Sequence, residues 1–199
     1  MFQSLPDIAP GGWRYAAVPL VVGIPLLVGA LPVGIACLLV GVGILWFHRD
    51  PERSPPPSGI VAPADGRVSV LREEGERVRV AVFMNVTDVH VNRAPAPGTV
   101  ESVTHTPGKH LPAFSKESER NERVDIVCEE YELTLIAGAV ARRIHPYLKG
   151  GERLERGEKV GHISFGSRAD VLLPPTYDID DLRVSKGQRV HAGETVIAA

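Results

Sequence analysis

Gly151-Glu152-Arg153-Leu154-Glu155-Arg156-Gly157-Glu158-Lys159-Val160 returns 36 residues later as Gly187-Gln188-Arg189-Val190-His191-Ala192-Gly193-Glu194-Thr195-Val196. The matches are Gly151/187, Arg153/189, Gly157/193, Glu158/194 and Val160/196. Paired glycines followed by Glu and a β-branched residue suit a turn with positive φ, which glycine adopts without a Cβ penalty. Around this repeat the chain breaks into short apolar runs at residues 60–62, 67–71, 78–84, 98–103, 124–128, 131–137 and 169–173. Gly, Pro and Asp-Gly signals bound these runs, so they predict β-strands. No long 3.6-residue period follows residue 50, and residues 85–90 suit a turn or a short helix.

The repeat resembles the turn of a lipoyl- or biotinyl-type hammerhead. The fold expected is therefore mainly β, a barrel-sandwich-hybrid-like domain. Carrier domains of that type present a lysine for lipoyl or biotin, and no biotinyl Met-Lys-Met signature occurs here. The repeat is thus read as architecture and not as a cofactor site.

The charge is unevenly spread. The 199 residues carry 22 basic and 24 acidic side chains, a formal −2, which argues against nucleic acid as a partner. Residues 16–47 contain no Asp, Glu, Lys, Arg or His, and only Asp7 and Arg14 precede residue 48 among the charged groups. Crossing a bilayer takes about 20 apolar residues, so this run predicts a hydrophobic helical membrane segment. Its length exceeds one upright span and falls short of two, and Pro32 is a natural break. A hairpin dipping into one leaflet and a single kinked span both remain open. A cleaved signal peptide fits poorly, because no Lys or Arg comes before Arg14. The predicted division is a membrane anchor at 1–50, a Pro-rich linker at 51–59 and a catalytic domain at 60–199.

Two cysteines make neither a disulfide framework nor a Cys-x-x-Cys zinc site, and no phosphate-binding glycine loop occurs outside the apolar run. His105 and His110 flank Pro107-Gly108 and read as loop residues, so no metal is expected. Three segments stand out: Ala62-Pro63-Ala64-Asp65-Gly66, Phe83-Met84-Asn85-Val86-Thr87-Asp88-Val89-His90-Val91-Asn92-Arg93-Ala94-Pro95 and Phe165-Gly166-Ser167-Arg168-Ala169-Asp170-Val171. Singly they read as a turn, a satisfied structural histidine and a loop.

Together with Lys109-His110-Leu111-Pro112-Ala113-Phe114, Ser118-Glu119-Arg120-Asn121-Glu122-Arg123 and Ala141-Arg142-Arg143-Ile144, they resemble the short form of the phosphatidylserine decarboxylase family. The resemblance runs from about residue 57 to the C-terminus. It implies a proenzyme that cuts itself between Gly166 and Ser167 into a β chain, 1–166, and an α chain, 167–199. Ser167 would attack the Gly166 carbonyl, and elimination from the ester would leave a covalent pyruvoyl group at position 167, with no pyridoxal phosphate and no metal. That group forms a Schiff base with the serine amine of the lipid and accepts the electrons left by CO2. The resemblance makes His90 the proton donor and Asp65 a group that orients a base or activates Ser167.

One departure stands out. Where longer members carry a second histidine, this chain has Arg93, which cannot act as a base. Either His90 serves both steps or another group, such as His162, activates Ser167. Arg120, Arg123, Arg142 and Arg143 are candidates for the substrate's phosphate or carboxylate, or else members of a structural ion-pair set. The implied reaction converts phosphatidylserine in the bilayer to phosphatidylethanolamine and CO2, at the cell membrane on its cytoplasmic side. A homo-oligomer is left open. The alternatives are decarboxylation of the ether lipid archaetidylserine and a non-enzymatic, membrane-tethered barrel-sandwich adaptor.

Overall fold

The computed structural model describes residues 7–108, 120–138, 143–164 and 167–199, and divides the chain into two compact units, Met1–Glu52 and Arg53–Ala199. In the first unit, β1 (Asp7–Ile8) leads into α1 (Gly12–Gly29), α2 (Leu31–Phe47) and β2 (Arg49–Asp50). The helices separate at Ala30, at φ −151° and ψ 68°. Pro32 falls in the first turn of α2, where its missing N–H costs nothing. The break therefore comes just before the proline.

The two helices pack antiparallel. A side chain at Gly34 would meet the Leu27 nitrogen at 2.6 Å, and one at Gly41 would meet Leu20 Cγ at 2.5 Å. Glycine at these positions lets the backbones approach closely. At the open end, Asp7 pairs with Asp50 and Ile8 with Arg49, which clasps the hairpin shut. Its outer surface is apolar: Val18, Val21, Ile24, Leu39 and Val42 are all exposed. α1 is long and apolar enough to cross a membrane, by length and composition.

The second unit is mainly β. Its strands are β3 (Ile60–Val61), β4 (Gly66–Glu74), β5 (Arg77–Met84), β6 (Val91–Arg93), β7 (Gly98–Thr106), β8 (Arg123–Cys128), β9 (Glu132–Ile136), β10 (Ile144–Pro146), β11 (Arg153–Leu154), β12 (Lys159–Ile163), β13 (Ser167–Leu172), β14 (Arg189–Val190) and β15 (Val196–Ala198). An eight-stranded sheet runs β11-β7-β8-β9-β13-β5-β4-β14, a second sheet runs β10-β12-β6, and β15 pairs with β3. The long apolar runs all form strands close to their expected bounds. Val78, Val80, Val82 and Met84 of β5 face the core with Ala169 and Val171 of β13, as the two-residue period of a strand requires.

The glycine repeat is a structural two-fold. The Gly151 and Gly187 nitrogens donate to Val100 and Val68, while the Gly157 and Gly193 nitrogens donate to Ala94 and Ala62. The φ values repeat as well, 88° and 89° for the first pair and 78° and 74° for the second. The segments that open with the acceptors Ala62 and Ala94, Ala62-Pro63-Ala64-Asp65-Gly66 and Ala94-Pro95-Ala96-Pro97-Gly98, are themselves a repeat that the sequence reading missed. Reciprocal bonds join the halves, Val61 N–H to the Pro95 carbonyl and Arg93 N–H to the Pro63 carbonyl, both at 2.9 Å. The Pro-rich stretch is stitched along this body, because Arg156 donates to the carbonyls of Pro56, Pro57 and Gly59.

Gly66 holds the tightest approach. It has φ 145°, and a Cβ there would run into the Phe83 carbonyl. Gly66→Ala combines a disfavoured backbone with a clash against a central strand. We expect it to lower unfolding free energy by roughly 2–5 kcal/mol, read as a fall in thermal midpoint of the full chain in detergent.

Candidate active site

Ser167 opens β13, the strand between β9 and β5, and is fully buried. Its register partner is Met84, and its Oγ lies 3.8 Å from the Met84 sulfur. A thioether is a weak acceptor, so this hydroxyl is poorly satisfied by that contact. Asn92 meets the same sulfur from β6. Its Nδ2 is 3.7 Å from Met84 Sδ and 3.5 Å from the Pro63 carbonyl, while its buried Oδ1 has no donor among the described residues. Gly66, next to Asp65, completes the junction at 3.3 Å from Met84 Cα to the position of a Cβ. Three segments far apart in sequence thus converge on Met84.

His90 precedes Asn92 by two residues, and the ladder extends through it, because the Ile163 N–H donates to its carbonyl. Alternation along an extended chain carries His90 and Asn92 to the same side. The ring is buried, with Nδ1 2.9 Å from the Asp88 carbonyl. A carbonyl only accepts, so Nδ1 carries the hydrogen and the neutral ring has its lone pair on Nε2. Asp88 is itself fixed. Its carboxylate accepts from the Asn85 N–H at 2.8 Å and from Arg189 at 2.9 Å.

Asp65 is buried and heavily engaged. Arg53 donates to both carboxylate oxygens at 3.0 and 2.9 Å, the Ala192 N–H donates at 2.8 Å, and His191 Nδ1 lies 3.6 Å away. Burial works against the Arg53 charge, but Asp65 and Glu194 outweigh it and hold its pKa above the ordinary value. The carboxylate therefore anchors the second glycine turn while lying one residue from the Met84 junction.

The sequence model of the phosphatidylserine decarboxylase family matches residues 42–198. The chain belongs to the phosphatidylserine decarboxylase family. It is 58% identical over 190 residues to a Halobacterium salinarum protein provisionally named archaetidylserine decarboxylase proenzyme, covering 95% of this chain and 97% of that one. It is 48% identical over 173 residues to the Streptomyces avermitilis phosphatidylserine decarboxylase proenzyme, covering 84% and 79%. A Methanopyrus kandleri relative, also provisionally named archaetidylserine decarboxylase proenzyme, is 37% identical over 96% of this chain and 97% of its own.

Within this decarboxylase-family chain, Arg93 has a structural place. Its guanidinium donates to the Gly157 carbonyl at 3.0 Å, and a Cβ on Gly193 would touch its Cδ, so it sits between the two repeated turns. His162 bonds to the Tyr147 hydroxyl at 2.7 Å and stacks on His145 with ring centroids 4.5 Å apart. Its register partner is Val91, so it stands on the opposite face of the small sheet from Asn92. Of the two histidines, His90 and not His162 therefore shares Asn92's side of the small sheet. Arg123 pairs with Asp125 at 3.0 Å, and Arg143 lines a separate cavity with His105 and His145. Arg120 is exposed, and Gly166, Arg142 and the segment 109–119 lie outside the described residues. Among the described residues no group of three His, Cys, Asp or Glu is arranged to hold a metal. Met84 and Asn92 lie in a segment that stands out in the sequence but carry no role of their own there, because neither residue type marks chemistry by itself.

Proposed function

We propose that the chain is a self-processing, pyruvoyl-dependent decarboxylase acting on serine-headed phospholipids in the bilayer. The observation that carries this is the fully buried Ser167 at the first position of the central strand, its hydroxyl set against the Met84 thioether, which the Asn92 amide also meets. The residues fit the group such a family derives from that serine. Asn92 offers a donor whose two contacts are long, which suits a carbonyl better than the sulfur it now meets. Once formed, the pyruvoyl group supplies a carbonyl that condenses with the substrate's amine and accepts the electrons left when CO2 departs.

The chain's own residues do the rest. His90, with Nδ1 tied to the Asp88 carbonyl, takes up a proton on Nε2 and, as the imidazolium, delivers it to the carbon that loses CO2, returning to the neutral ring. Gly66 packs against the Met84 end of β5, and Asp65 beside it ties that turn to Arg53 and the Ala192 N–H. Burial around Ser167 excludes water that would protonate or hydrolyse in the wrong place. The two-fold of glycine turns supports a lipoyl-type hammerhead as the scaffold. The apolar helical hairpin supports anchoring in the membrane that holds the substrate, with the catalytic unit on the cytoplasmic side as the working topology.

The substrate in this reading is phosphatidylserine, giving phosphatidylethanolamine and CO2. The provisional archaetidylserine names of the Halobacterium and Methanopyrus relatives favour a second reading, the ether-linked analogue with the same headgroup. The full chain, assayed in vesicles of each lipid labelled at the serine carboxyl, is expected to release labelled CO2 and leave the amine lipid. The ratio of kcat/KM decides between the lipids. No release from either lipid would overturn the function and leave the adaptor reading.

A further inference from the structure

The register of the large sheet places Arg189, Arg67, Phe83, Arg168, Ile136 and Arg123 in one continuous cross-strand row. This row lies one residue from the Ser167–Met84 pair. Arg168 is held by Asp170 at 2.7 and 2.9 Å, and Arg123 by Asp125 at 3.0 Å. Arg189 donates to Asp88, and Arg67 donates to the Gly187 carbonyl at 2.9 Å. Among the described residues no carboxylate pairs with Arg67. It also stands directly opposite Arg189, and like charges directly across an antiparallel pair are destabilising. At the related place in the other half of the two-fold, Arg153 faces Thr99, so the fold itself does not demand two arginines.

These two arginines line a cavity of about 230 Å³ together with Gly66, Phe83, Asn85, Thr87 and Asp88. The lining carries two positive charges against one carboxylate already engaged by Arg189 and the Asn85 N–H. We propose that Arg67 and Arg189 form the subsite for the phosphodiester anion of the lipid headgroup, a proposal that rests on the serine-lipid reading above. The side chains of this row stand on the opposite face of the sheet from Ser167 and Met84, but Gly66, Met84 and Ser167 all lie at the same end of their strands, so a headgroup in the cavity reaches residue 167 around that end, past Asn85. The phosphate is the better match than the serine carboxylate. Cations on the carboxylate would stabilise the ground state more than a transition state in which that charge has moved away. The phosphate keeps its charge throughout, so gripping it binds both states alike.

The test uses full-length Arg67→Gln, Arg67→Lys and Arg189→Gln. All are expected to process normally. Arg67→Gln should raise KM for the serine lipid roughly ten- to a hundredfold with kcat little changed, the range of a charge-assisted hydrogen bond, and Lys should recover part of the loss. Arg189→Gln should also raise KM. Calorimetric titration with glycerophosphoserine and with inorganic phosphate gives an activity-independent readout. Both should bind the wild type and bind Arg67→Gln at least tenfold more weakly. Unchanged KM and unchanged binding in processed Arg67→Gln would overturn the subsite. So would a defect confined to sedimentation with anionic vesicles, which would make the pair a membrane-surface contact. Wild-type protein that binds glycerophosphoserine but releases no CO2 would instead sink the functional reading and leave the anion site standing.

Discussion

Ser167→Ala is expected to remain one chain of 199 residues and 21.5 kDa under denaturing conditions, while the parent protein separates into residues 1–166 and 167–199. Without a hydroxyl no nucleophile reaches the Gly166 carbonyl, no ester forms and no carbonyl group arises at position 167. Decarboxylation should then fall by more than about 10⁶-fold, the low end of enzymatic acceleration. Folding should survive. The substitution removes one oxygen whose recorded contact is a weak one to sulfur, at a cost of about 1 kcal/mol or less. An unchanged thermal midpoint beside an uncut chain separates lost chemistry from lost structure. A parent protein that decarboxylates while its mass stays intact would overturn self-processing altogether. Cleavage of the alanine variant at the same bond would assign the cut to another agent.

This expectation depends on topology that no short stretch of sequence carries. β13 hydrogen-bonds to β5 on one side and β9 on the other, so the products of a cut before Ser167 stay paired along six residues of central strand. β14 and β15 add further attachment to β4 and β3. The newly made chain end is therefore held in the core, where a group at residue 167 keeps its alignment.

The long strands were legible because apolar residues alternate or run together between turn signals. The glycine repeat was legible because positive φ restricts residue choice. The short strands β6, β10, β12, β14 and β15 were not. Segments of two to five residues such as Val91–Arg93 or Val196–Ala198 carry too little period, and tertiary pairing makes them strands. The catalytic candidates came from motif resemblance, whereas their environment did not. Asp65 reads as a turn residue, yet three partners converge on it from residues 53, 191 and 192. Met84 reads as core, yet it joins Ser167 to Asn92. Arg93 reads as a missing histidine, yet it fills the space between the two glycine turns. Each of these roles is set by contacts distant in sequence.

His90→Gln should separate the two reactions. The glutamine keeps much of the buried volume and can still donate toward the Asp88 carbonyl, so the turn built by Asn85 and Asp88 should persist. It cannot deliver a proton at neutral pH, and loss of a general acid costs typically 10²–10⁴-fold. If His90 acts only in decarboxylation, the variant will be cut to completion and its turnover will fall by that factor. If it also activates Ser167, cutting will slow in parallel, the outcome that Arg93 in the second histidine's place makes physically reasonable. Quantifying the cut fraction by denaturing mass spectrometry and normalising CO2 release to that fraction distinguishes the cases. Near-normal turnover per cut chain would exclude His90 as the essential acid. The proton would then have to come from another group or from water, despite the burial of Ser167 and His90. Asp88→Asn offers the control: the carbonyl that holds Nδ1 remains, and an amide replaces the carboxylate that Arg189 and the Asn85 N–H bind. Its turnover should therefore fall much less than that of His90→Gln.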